Sequence, residues 1–198
     1  GTAVVSVDYD VAPQVRYPVA QDQAHDVLSW VSTGWGGPVA VGGFSAGGNL
    51  AASAALQARD LGSCSPALQL LGVPALNVAE PGADKVCTIA DPMITPRLLE
   101  LVRQAYFKDE SRRTEPYASP LLAPSLEGVA PAMVVTAEYD RLRAEGDAYA
   151  VRLRDAGVPT EHLVVSTMDH YFLGSRPQAR GVLDQMVAAL RSALLVAV

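Results

Sequence analysis

Lysine is scarce in this 198-residue chain: only Lys85 and Lys108 stand beside 13 arginines. The 15 basic residues are outweighed by 21 acidic ones, for a formal net charge of −6. No basic run exceeds the pair Arg112–Arg113. Nucleic-acid binding needs clustered positive charge, so that class is set aside. Cysteine is also scarce. Cys64 and Cys87 lie far apart and form no C-x-x-C, which excludes a disulfide framework and points to buried or loop thiols. No cluster of Cys, His and carboxylates has zinc spacing, so neither a metal nor an organic cofactor is expected. No apolar run approaches the roughly 18 residues of a membrane span. No basic n-region follows Gly1, so no signal peptide is read and a cytoplasmic location is expected. The bias of arginine over lysine suggests a GC-rich genome.

What is abundant is apolar material. Hydrophobic residues make up 49% of the chain and charged residues 18%. That supports one packed core, excludes disorder as the main state, and leaves too little chain for two full domains. Short β-branched or apolar runs at Ala3–Asp8, Val39–Val41, Leu68–Leu76, Ala132–Thr136 and Glu161–Ser166 read as strands. Helical periodicity covers Asp22–Val31, Asn49–Leu61, Arg97–Phe107, Arg143–Ala156 and Pro177–Val196. Gly34–Pro38, Gly62 and Gly157 break the pattern. Alternating strands and helices predict a single α/β domain with a mostly parallel sheet flanked by helices. The stretch 77–119 differs in texture and reads as a cap-like insertion over one end of the sheet.

The sharpest motif is Gly43-Phe44-Ser45-Ala46-Gly47, a G-x-S-x-G placed between a strand and a helix. This is the context of a nucleophile elbow, where a strained turn lifts a serine hydroxyl clear of the sheet. Side chains at the two flanking positions are expected to collide with that turn, which would require both Gly43 and Gly47. The helix that follows aims its positive end at the site, and the Ala46 N–H can serve an oxyanion. A phosphate-binding loop would need Gly-Lys-Ser/Thr, and a dinucleotide fingerprint would need G-x-G-x-x-G; neither is present. A small-residue turn that only lets a strand and helix pack closely remains a possible reading of the motif alone.

A serine nucleophile needs a base and an acid that orients it. Of three histidines, His25 falls inside a predicted helix and His162 begins a strand, and both read as structural. His170 follows the last predicted strand, where catalytic groups of a parallel sheet gather. Asp140 follows the strand Ala132–Thr136 and suits the acid, although it could also cap the next helix. Glu138 and Asp169 are the runners-up; Asp169 adjoins His170, so its carboxylate should point elsewhere.

These motifs together resemble the hormone-sensitive-lipase-like branch of the α/β-hydrolases, mostly microbial carboxylesterases. Val5-Ser-Val-Asp-Tyr9 with Ala12-Pro13 is similar to the family's "VDYRLAPE". Gly43 to Leu50 resembles "GDSAGGNLA", and Ser119 to Pro124 resembles "SPLLAP". Val134 to Asp140, then Leu142-Arg143 and Glu145-Gly146, resembles "VTAEYDPLRDEG", and Met168 to Phe172 resembles "M-x-H-G-F". The resemblance runs over nearly the whole chain and implies an α/β-hydrolase fold with Ser45 as nucleophile, Asp140 as acid and His170 as base. It departs from the pattern at Asp10, Gln14, Phe44 and Tyr171. None of these removes a catalytic group, and Tyr171 could narrow the pocket.

The family's H-G-G-G loop, which supplies the other oxyanion donors, lies upstream of the "VDYR" strand, as do its cap helices and first three strands. The resemblance therefore implies that this chain is a C-terminal part. An N-terminal part of the same protein, or another chain, would complete the sheet. A strand should be missing between Ala3–Asp8 and Val39–Val41, and a sheet that closed directly between those two would refute this. The implied function is a serine carboxylesterase acting on short- to medium-chain acyl esters through an acyl-enzyme, weak or inactive as this chain alone. Leu98, Leu99 and Tyr106 could line an acyl pocket or simply pack. Other readings are a non-catalytic small-molecule binder, as in a plant hormone receptor relative that has lost its histidine, and a dehydratase or amidase on the same fold. Leu183, Val187, Leu190, Leu194 and Leu195 on the last helix could support a homodimer or belong to the core.

Overall fold

A computed structural model describes residues 2–173 and 177–195. Its centre is a four-stranded sheet in the order β1-β2-β3-β4, with every pairing parallel. The strands are β1 (Ala40–Phe44), β2 (Leu68–Gly72), β3 (Ala132–Ala137) and β4 (Thr160–Val165). The helices are α1 (Val19–Trp35), α2 (Ala46–Leu61), α3 (Pro96–Tyr106), α4 (Arg143–Asp155) and α5 (Pro177–Leu194). Two short 3₁₀ turns, Glu110–Thr114 and Pro120–Leu122, lie between α3 and β3.

The two inner strands carry apolar residues on both faces, as parallel strands covered on both sides must. Successive side chains alternate between two layers. Leu71 and Val134 join Leu56, Tyr149 and Leu153 of α2 and α4 on one face. Leu70, Met133 and Val135 join Phe172, Val182 and Met186 on the other, where α5 lies. Helix α2 is rich in alanine because it is enclosed: Ala52, Ala54 and Ala58 have no exposed surface, and Ala55 almost none. On α5 the buried stripe is Ala179, Val182 and Met186, with Leu190 packed beside it. Leu183, Val187 and Leu195 face outward.

Four predicted strands form, within a few residues of the expected ends. The fifth does not. Residues 3–8 take no regular structure, and Val4 and Val5 are 89% and 50% exposed. A β-branched run favours extended backbone, but a strand needs a neighbour for its N–H and C=O groups, and no described strand offers one here. The sheet does not close between residues 3–8 and β1, and β1 is its edge. Helix α1 runs through the predicted break at Gly34 and ends at Gly36, whose φ of 70° supplies the left-handed turn. One internal glycine costs only about 1 kcal/mol, which the buried face of Ala20, Gln21, His25 and Leu28 offsets. The predicted helix end at Val196 lies outside the described residues.

Candidate active site

The C-terminal end of β1 runs straight into α2 through Ser45. Ser45 adopts φ 56°, ψ −117°, a conformation non-glycine residues rarely take. Backbone bonds hold it there: its N–H donates to Gly72 O at 2.8 Å, and its carbonyl accepts from Asn49 N at 3.1 Å and Ala75 N at 3.3 Å. Gly43 is required sterically, since a Cβ there would lie 2.3 Å from Gly47 O. The matching expectation for Gly47 is corrected: a Cβ at Gly47 meets nothing within 4 Å. The second tight position is Gly48, where a Cβ would lie 2.8 Å from Pro74 Cβ. The turn presses its backbone against Gly43, while α2 presses its first turn against the loop after β2. Ala46 is the first residue of α2, at the helix N-terminus.

Asp140 sits on the loop after β3, and its side chain has no exposed surface. One carboxylate oxygen accepts from Leu142 N at 3.0 Å. The other faces His170 Nδ1 at 2.8 Å. His170 lies on the loop after β4, with its side chain 10% exposed, and its Nε2 is 2.8 Å from Ser45 Oγ. The imidazole thus bridges serine and carboxylate. A carboxylate at Nδ1 selects the tautomer with hydrogen on that nitrogen, leaving Nε2 free to accept from a hydroxyl. The capping alternative for Asp140 is not met: Leu142 is the N-cap residue of α4 and the helix has no side-chain cap, so the bond from Leu142 N–H fixes the turn before the helix instead.

The remaining candidates separate cleanly. His25 is buried with Nε2 2.8 Å from Ser63 Oγ. His162 lies against Thr136 Oγ1 and Asp147 Oδ1, both at 3.1 Å, and burial lowers its pKa. Neither approaches Ser45. Glu138 accepts from Thr167 N at 2.6 Å, and Asp169 from Met93 N at 2.6 Å, so neither runner-up faces the imidazole. Cys64 and Cys87 are free thiols. Tyr106 donates to Gln21 Oε1 at 2.6 Å and packs edge-on against Tyr17, while Leu98 is largely exposed. Among the described residues, no group of His, Cys, Asp and Glu could hold a metal ion. No described helix is long and apolar enough to cross a membrane.

A family model described as alpha/beta hydrolase fold matches residues 1–174. The chain belongs to this family. Among similar α/β-hydrolases, the arylesterase of Saccharolobus solfataricus is 35% identical over 201 residues, covering 95% of this chain and 63% of that protein. The carboxylic ester hydrolase LipN of Mycobacterium tuberculosis is 34% identical over 207 residues, covering 96% of this chain and 55% of that protein. A solved esterase of Pyrobaculum calidifontis superposes with a TM-score of 0.88 at 35% identity, covering 94% of this chain and 64% of that one. The chain spans less than two thirds of the length of each of these relatives.

Several side chains around this α/β-hydrolase site were not among the candidates read from the sequence, although Asn49 and Glu145 fall within stretches that resemble the family's motifs. Asn49 is buried beneath the elbow and donates to Ala75 O at 2.7 Å and Ala118 O at 2.9 Å, tying the first turn of α2 to two loops. Lys85 and Glu145 form a buried ion pair at 2.5 Å. Glu145 also accepts from Leu76 N and Asn77 N, and burial pushes its carboxyl up to about 7 against the pull of Lys85. Arg141, next to Asp140, donates to the carbonyls of Lys85 at 2.7 Å and Ile94 at 2.9 Å. A polar residue inside an apolar helical run, as at Asn49, is the signal that could have found one of them, because a buried amide must be paired.

Proposed function

We propose that this chain carries the catalytic serine, histidine and aspartate of a carboxylesterase. One observation carries the reading: the His170 imidazole lies 2.8 Å from both Ser45 Oγ and Asp140 Oδ2. His170 Nε2 takes the Ser45 proton as Oγ attacks an ester carbonyl. Asp140 holds the imidazole and stabilises the imidazolium. The tetrahedral intermediate collapses as His170 returns the proton to the leaving alcohol, and an acyl-serine remains. Water, activated by the same imidazole, then releases the acid. The Ala46 N–H at the head of α2 is one oxyanion donor. The relatives named as ester hydrolases support the reaction class.

The substrate class is short- to medium-chain acyl esters, with the exposed rings of Phe44 and Tyr171 beside the reacting residues as apolar contacts. The segment 77–119 acts as a cover over this end of the sheet. The active form completes the free edge of β1 and the oxyanion hole with an N-terminal part of the same protein or another chain. Losing one oxyanion donor costs about 10²–10³ in turnover, so a form lacking such donors turns over slowly.

The test is intact mass spectrometry after a fluorophosphonate probe, followed by hydrolysis of p-nitrophenyl esters of graded chain length. A single adduct, absent in Ser45→Ala, is expected, with turnover falling as the acyl chain lengthens. An adduct that persists in Ser45→Ala overturns the assignment of the nucleophile.

A further inference from the structure

The carboxylate of Asp169 makes two bonds that the reaction itself does not use. Its Oδ1 accepts from the backbone N–H of His170 at 2.7 Å, and its Oδ2 accepts from the backbone N–H of Met93 at 2.6 Å. Met93 lies on the irregular segment 77–95. Arg141 grips that same segment at Lys85 and Ile94 from the position next to Asp140. One stretch of backbone is therefore fastened to the acid loop through Arg141 and to the base loop through Asp169. On its other side the base loop is held by Glu138 Oε2 at Thr167 N and by Tyr139 N at Met168 O. Thr167 has φ 58°, so this loop turns through a conformation its own residues disfavour and depends on outside bonds.

We infer that Asp169 is a positioning residue, a latch that fixes the His170 backbone to the 77–95 segment and so sets the imidazole between Ser45 and Asp140. The inference rests on the proposed reading of Ser45, His170 and Asp140. Charge-assisted bonds to backbone N–H groups are short and about twice as strong as neutral ones, which suits a carboxylate here better than an amide. With the latch removed, His170 keeps its side-chain partners but loses the backbone anchor at its own position. A displacement of about 1 Å in a reacting group can cost 10²-fold in rate.

The experiment compares wild type with Asp169→Ala and Asp169→Asn in the same chain. It measures the rate constant of fluorophosphonate labelling at Ser45, the melting temperature, and amide hydrogen exchange at Met93 and His170. Asp169→Ala is expected to label about 10–100-fold more slowly, with faster exchange at both amides and a melting temperature near wild type. Asp169→Asn, which keeps an acceptor oxygen, is expected to recover part of the rate. A purely structural role would lower the melting temperature and leave the labelling rate of the folded protein unchanged, and that result overturns the latch. If wild type does not label at all, Ser45 is not activated in this chain alone, and the esterase reading is then judged with the proposed N-terminal part present. The latch is then judged by exchange alone: faster exchange at Met93 and His170 in Asp169→Ala supports it, and unchanged exchange overturns it.

Discussion

Residues 3–8 and residues 77–95 invert what their sequences promise. The first stretch is the short β-branched run of a strand, yet it takes no regular structure and exposes Val4 and Val5. The second has no pattern of any period, yet charged side chains from α4 and from the loops after β3 and β4 hold it from several directions. Lys85 is pinned by Glu145 of α4, Arg141 grips the segment's carbonyls at Gly82, Lys85 and Ile94, and Asp169 takes the Met93 N–H. A hydrophobic period states what a segment would do with a neighbour. Order comes from the neighbour. For irregular backbone that neighbour is a side chain with hydrogen bonds to give, which pattern reading does not see.

The largest effect expected on the clamped side is chemical. Under the proposed mechanism Asp140→Asn leaves the loops in place but favours the wrong imidazole tautomer. Turnover and Ser45 labelling should fall by about 10⁴ with little change in melting temperature. An equal fall in melting temperature would mean that the Leu142 N–H bond, rather than the His170 bond, is the main business of this carboxylate. Next comes Lys85→Met. Glu145 would be left buried with two N–H donors and no cation, and breaking a buried pair from one side costs about 3–5 kcal/mol. Denaturant unfolding measures this, and a loss below about 1 kcal/mol would show that the segment is held mainly by Arg141 and Asp169. Smaller again is Gly43→Ala at the end of β1, where the added methyl meets Gly47 backbone at 2.3 Å. A cost of about 1–3 kcal/mol is expected, whereas Gly47→Ala, which meets no atom within 4 Å, should be close to neutral.

Glu145 also gives the clamped side a pH signature. Burial raises its carboxyl from the unfolded value near 4.5 to about 7. Between those limits the folded protein holds more protons than the unfolded chain. The contribution of this group to stability is therefore complete below about pH 4.5 and is lost as pH rises toward 7. The difference in unfolding free energy between wild type and Glu145→Gln should shrink over that window, by less than the Lys85→Met loss. A difference that grows with pH would mean that Lys85 and the two backbone donors outweigh burial.

The fold and the three residues of the candidate site were legible because each rests on short-range chemistry. The four strands of the sheet are buried apolar runs, and Ser45 is marked by the glycines around it. Asp140 and His170 were found by position, each at a strand's C-terminal end. What was not legible depends on distant pairing. Gly47 looked as constrained as Gly43, but the contact that matters is from Gly43 onto the Gly47 backbone, and only coordinates show which of the two needs the space. Asp169 was read correctly as turned away from the imidazole, yet nothing near it in sequence names Met93, 76 residues earlier. Lys85 and Glu145 are separated by 60 residues and meet only because α4 packs beside the start of the 77–95 segment.

The smallest expected effect is the most diagnostic of the comparison. Val4→Thr and Val5→Thr preserve β-branching and shape while adding a hydroxyl. At exposed positions without packing partners each should change unfolding free energy by no more than about 0.5 kcal/mol. Backbone amides of residues 3–8 should exchange among the fastest in the chain, while those of Leu76, Asn77 and Met93, bonded to carboxylates, should be slower. A loss above about 1 kcal/mol for either valine, together with slow exchange over residues 3–8, would mean the segment is a strand in solution. Its pattern would then be met by a neighbour lying against β1, the one sheet edge next to the Ser45 turn. The same substitutions made with that neighbour present should cost more than they do without it, because the valines would then be leaving a core rather than water.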